Sequence, residues 1–238
     1  MEDSYQNIVR MCNYARQYHA EGILNTDWGD FGHINHPDFS VPGMIYGAAF
    51  SWNQENIAFA EINRQISRLE YGGITEQTVD ILAKMPKHSL FTWRDAVAYY
   101  EQSTRNRKLR VEDQFLKLLL EDASTADKMV KCADDTLREL VLQMKRTAIS
   151  MDAQAREIAK LYELAAEAIQ LWNETGLALV HEKQEHSWNK TEAFALAGRL
   201  ERWFMAYKKQ WRSIGKEGDL YQIAMIVFWY ADGLRQTI

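Results

Sequence analysis

Apolar positions in the second half of the chain recur at helical spacing. Leu109, Phe115, Leu116, Leu119 and Leu120 form one such set, and Leu137, Leu140, Val141, Met144 and Ala148 form another, each with charges opposite. Such stripes predict amphipathic helices with one face in a core. A further helix is predicted from about Asp152 to Trp172 and past Gly176. Another starts at Asn189, a capping residue with Glu192 three positions on, and runs to about Trp211. SIGKEGDL breaks it, and a last helix reads from Asp219 to Leu234. Short links between helices predict antiparallel packing, so the region from about residue 90 onward reads as a helical bundle.

The beginning of the chain is patterned differently. Tyr5, Ile8, Val9, Cys12, Ala15 and Tyr18 share a helical face, after which Gly22 ends the pattern and Ile23-Leu24 opens a short apolar run. Residues 28–42 are rich in Gly, Asn, Asp and Pro and read as a loop. A second apolar segment follows, in which Gly47, Ala48 and Ala49 permit a close approach. The reading is helix, strand (22–27), loop, strand (46–52), an incomplete parallel α/β arrangement. Two parallel strands lack the neighbours that cover both faces of such a sheet, so this part reads as the end of something larger.

Composition agrees with a change of character along the chain. All three prolines, Pro37, Pro42 and Pro86, precede a C-terminal half dense in good helix formers. The net charge of -5 gives no electrostatic footprint for nucleic acid. Cys12 and Cys132 are lone residues without CxxC spacing, which fits a reducing, cytoplasmic setting and excludes a zinc ribbon. The N-terminus lacks an apolar signal region, and no uninterrupted apolar run approaches the ~18 residues of a membrane span.

Candidate chemistry concentrates after the two expected strands. Asp27, Trp28 and Asp30 follow the first, and Trp52, Asn53 and Gln54 close the second. Indole faces beside a carboxylate suit a sugar, whose C–H face stacks on the ring while its hydroxyls donate to the acid. The competing reading makes the tryptophans core plugs and Asp-before-Gly a turn. Other groupings carry less. His33 and His36 lack a third ligand, so neither a metal nor a cofactor is expected. His181 and His186 are five apart and do not share a helical face. Glu112-Asp113 and Glu121-Asp122 read as solvated faces, and Trp203, Tyr207 and Trp211 as a core or docking stripe.

TDWGDFGH followed by PGMIYGAAFSWN resembles the last two strand-loop segments of the (β/α)8 barrel of glycoside hydrolase family 20, the β-N-acetylhexosaminidases. WFMAYKKQWRSIGKEGDLYQI resembles the end of the helical domain that follows the barrel in bacterial members. The resemblance implies a mixed fold: residues 1–60 the final segments of a TIM barrel, residues 61–238 an all-helical domain. It implies that Trp28, Asp30 and Trp52 help to form the pocket for a terminal N-acetylhexosamine, Trp52 stacking on the sugar or enclosing its acetamido group and Asp30 holding a hydroxyl. Many members have Tyr at the place of Trp28 and Glu at that of Gln54, so Trp28 takes a wall role and Gln54 a weaker hydroxyl contact. The catalytic Asp-Glu pair of the family, which orients the acetamido nucleophile and protonates the leaving oxygen, falls on a strand absent from this sequence. No catalytic residue is therefore assigned, and an upstream barrel segment is the implied partner. The helical domain is a candidate for pairing two copies. The alternative is a non-catalytic helical interaction or scaffold protein.

Overall fold

The computed structural model describes residues 1–28, 34–72, 76–105, 116–149, 153–184, 189–218 and 220–236. Among the described residues the regular structure is all helical, with no strand. The helices are α1 (Glu2–Gln17), α2 (Val41–Trp52), α3 (Phe59–Leu69), α4 (Thr78–Lys84), α5 (Trp93–Arg105), α6 (Ala123–Ala148), α7 (Ala153–Lys183), α8 (Lys190–Ile214) and α9 (Leu220–Gln236), with short 3-10 turns at Pro37–Ser40, Met85–His88 and Lys117–Leu120. None of the described helices is long and apolar enough to cross a membrane.

The expected barrel end is not formed, which corrects the mixed-fold reading. Residues 22–28 are irregular, and Leu24 is 86% exposed rather than part of a core strand. Two apolar residues between Gly22 and the polar Asn25-Thr26-Asp27 bury too little surface to hold a strand without partners. Residues 46–52 are the last two turns of α2. Pro42 occupies the first turn of that helix, where its missing N–H costs nothing, and Pro42, Tyr46 and Phe50 recur every four residues on the buried face. The 3.6-residue period therefore prevails over the short strand-like run.

The chain divides into two compact units. The first comprises Met1–Gly29, Asn35–Met85 and Leu140–Tyr162. Its aromatic core is built around Tyr5, whose ring meets those of Tyr46, Phe50 and Phe59 at centroid distances of 5.7, 5.5 and 5.1 Å. Two buried polar side chains form a chain of hydrogen bonds: Tyr46 Oη donates to Asn63 Oδ1 at 2.5 Å, and Asn63 Nδ2 donates to Asp80 Oδ1 at 3.1 Å. Ser67 Oγ accepts from the amide of Val79 and donates to the carbonyl of Asn63, tying α3 to α4.

The second unit comprises Asp30–Ile34, Pro86–Glu139 and Glu163–Ile238. Its core joins Phe91, Trp172, Leu200, Trp203, Ile223, Ile226 and Tyr230. The helices predicted over 152–176, 189–211 and 219–234 correspond to α7, α8 and α9, and Asn189 Oδ1 accepts from the Thr191 amide at 2.9 Å as a cap. Trp203 and Tyr207 are buried core residues stacked at 5.2 Å, with Trp211 stacked next at 6.1 Å. The predicted stripe over 109–120 is corrected in part. Leu109 and Phe115 lie outside the described residues; Leu116 adopts a left-handed φ of 66°, and Leu120, the last residue of a 3-10 turn, is 78% exposed. The Leu116 amide donates to Asp95 Oδ1 at 2.8 Å, which fixes this unfavourable backbone.

Candidate functional site

The candidate site belongs to the first unit, where the segment following α1 lies against α2. Asn25 Nδ2 donates to the carbonyl of Gly43 at 3.0 Å, and a Cβ on Gly47 would lie 2.8 Å from Cγ of Asn25. Gly43 and Gly47 are one turn apart, and the absence of a side chain at Gly47 lets the segment reach the helix backbone. The close approach expected at Gly47 is present, with helix and loop as the two parties rather than two strands.

Polar contacts fix the ends of this arrangement. The Ser40 hydroxyl donates to the Asp27 carboxylate, which ties the segment to the residue before α2. The Arg16 guanidinium donates to the carbonyls of Phe50 and Asn53, placing a cation at the negative end of α2 beside Trp52. Asn53 folds back on the same end, its side chain donating to the Ala49 carbonyl at 2.7 Å.

Both tryptophans point to solvent. Trp28 is 78% and Trp52 88% exposed, so neither is a core plug. Trp28 Nε1 donates to Thr26 Oγ1 at 2.8 Å, which holds the indole against its own segment and leaves its faces free. Trp52 is the last residue of α2, and Gln54 is exposed two residues on. Through Asn25 the structure joins the segment carrying Trp28 to the helix carrying Trp52, while no hydrogen bond links Trp28, Trp52 and Gln54 to one another. Asp30 and His33 lie outside the described residues.

The remaining candidates take structural places. His36 is buried, its Nδ1 accepts from the Asp38 amide at 3.3 Å, and burial pushes its pKa below the ordinary histidine value. Among the described residues no group of three or more metal-type side chains assembles. Asp122 is exposed and caps α6 by accepting from the amide and hydroxyl of Thr125. His181 Nε2 lies 3.0 Å from Asp127 Oδ1; Glu112, Asp113 and His186 are outside the described residues. One residue passed over by the hydrophobic reading is Asp134, a buried acid at core spacing between Val130 and Leu137. An acid interrupting a core stripe was the signal for it.

Searches against family models, curated proteins and solved structures return no match.

Proposed function

We propose that this chain is part of a β-N-acetylhexosaminidase-like glycoside hydrolase and contributes recognition surface for a terminal N-acetylhexosamine. The exposure of Trp28 and Trp52 carries the reading. A buried tryptophan removes 150–250 Å² of largely apolar surface from water, so leaving two in solvent forgoes a large stabilisation. Free indole faces gain it back by stacking on the C–H face of a pyranose. Asp30 supplies a hydroxyl acceptor in this reading, and Gln54 a neutral amide partner. The resemblance of TDWGDFGH and PGMIYGAAFSWN to family 20 supports the N-acetylhexosamine specificity.

Catalysis in this reading needs an Asp-Glu pair from an upstream segment, and the chain itself supplies binding groups only. The lone cysteines support a cytoplasmic setting. The test compares the chain alone with the chain joined to that upstream segment, using an aryl β-N-acetylglucosaminide. The chain alone releases no chromophore above background, the joined form does, and Asp30→Ala impairs it. Robust hydrolysis by residues 1–238 alone, or none by the joined form, contradicts the proposal.

The all-helical regular structure among the described residues favours a second reading, a non-catalytic helical interaction or scaffold protein that pairs with a second copy. Sedimentation of the chain with and without Trp28→Ala and Trp52→Ala separates the two. Dissociation of a dimer by these substitutions, with no sugar binding in the parent, favours the scaffold.

A further inference from the structure

A cavity of about 330 Å³ opens in the second unit between α6 and α7, and Asp134 on α6 lines it. Asp134 is 7% exposed, and its buried Oδ1 has no hydrogen-bond partner. The other acids around it are matched. Asp127 lies 3.0 Å from His181, Asp135 accepts from Arg138 at 3.1 Å, and Glu174 takes both guanidinium nitrogens of Arg199 at 2.6 and 2.9 Å. A buried carboxylate oxygen without a donor is costly, and native structures rarely leave one unanswered.

We propose that this cavity is a binding site for a small organic ammonium ion, which pairs with the Asp134 carboxylate. The lining has four acids, Asp127, Asp134, Asp135 and Glu174, with the two bases Lys131 and Arg138, and the Arg199 guanidinium pairs with Glu174, so one formal negative charge is left over with His181 neutral. Val130 and Leu177 give apolar walls for a short alkyl chain. Among the described residues no set of three or more metal-type ligands assembles, which favours an organic cation over a metal ion. The volume is at the lower end of small-molecule sites and fits a few carbons and one charged head. This inference concerns a different unit from the sugar surface and stands independently of it.

The site has a pH signature. Burial, followed by the negative charge of Glu174, pushes the Asp134 pKa up to about 6; Arg138 on its own helix and Arg199 on α8 oppose this, and Asp135 adds to it. A bound ammonium favours the ionised carboxyl, so occupancy lowers that pKa and affinity falls as pH drops through it.

The test is a carboxyl-carbon NMR titration of the whole chain with n-butylammonium chloride, n-butanol serving as the neutral control. The expected result is saturable binding in the millimolar range, a downward move of the Asp134 midpoint, and affinity about tenfold weaker at about pH 5 than at about pH 7.5. Asp134→Asn, checked for folding by circular dichroism, abolishes saturation, while Lys131→Met, which removes a competing cation, tightens it. If Asp134→Asn fails to fold, the movement of the Asp134 midpoint in the parent chain decides. Absence of any shift at about 50 mM butylammonium, an equal effect of butanol, or unchanged binding by folded Asp134→Asn overturns the proposal.

Discussion

Asn25 lies directly over Gly47, its side chain filling the space a Cβ would need while its amide donates to the carbonyl of Gly43 one turn earlier. This pairing holds the Trp28 segment on the helix that ends at Trp52. Gly47→Ala forces the Asn25 side chain away and costs about 1–2 kcal/mol through overpacking and a lost hydrogen bond. Urea denaturation measures the cost, and limited proteolysis shows faster cleavage within residues 18–28. An unchanged midpoint together with an unchanged cleavage rate contradicts the contact.

In the second unit, Asn173 is fully buried on α7 and acts as a three-point staple. Its Nδ2 donates to the His88 carbonyl at 2.9 Å, and its Oδ1 accepts from the amides of Leu90 and Phe91 at 2.8 and 3.3 Å. Asn173→Ala strands buried backbone groups and destabilises by about 2–4 kcal/mol. One turn on, a Cβ at Gly176 would lie 2.6 Å from Cβ of Phe91, so Gly176→Ala is also destabilising. Thermal unfolding of both variants tests this, with a lowered Tm expected in each.

Asp134 gives stability a pH dependence of definite sign. Its folded pKa of about 6 exceeds the ordinary value of 3.8, so ionisation favours the unfolded chain. Its contribution therefore falls as pH rises from about 4 to about 6 and is level above that. Between about pH 4.5 and 7.5 the loss is about 2 kcal/mol, at 1.36 kcal/mol per pKa unit. Urea curves at the two pH values, for the parent and for Asp134→Asn, show this slope in the parent and not in the variant.

Long periodic segments were legible in the sequence. α7, α8 and α9 follow from stripes several turns long, and Asn189 marks its helix start because a cap is a local interaction. The twelve residues of α2 were not legible as helix: Pro42, Gly43 and Gly47 are strand-and-turn punctuation in a short window, and their acceptability depends on the first-turn position of Pro42 and on Asn25 across from Gly47. Leu116 follows the same logic, since its left-handed backbone depends on Asp95, 21 residues earlier. At the candidate site the sequence left two readings of the tryptophans open, sugar-stacking faces or core plugs. The exposure of Trp28 and Trp52 emerges only once the core is filled by Tyr5, Tyr46, Phe50 and Phe59.

The most direct test of sugar recognition is a tryptophan-fluorescence and saturation-transfer NMR titration of the chain with N-acetylglucosamine, repeated for Trp28→Ala and Trp52→Ala. Both residues are exposed, so the variants retain the parent's helical content and stability within about 0.5 kcal/mol. The account predicts saturable binding with transfer to the sugar C–H protons and the acetamido methyl. Affinity falls at least about fivefold on loss of either indole, as expected for about 1 kcal/mol or more of stacking. Absence of saturation in the parent, or binding that survives both substitutions unchanged, contradicts it.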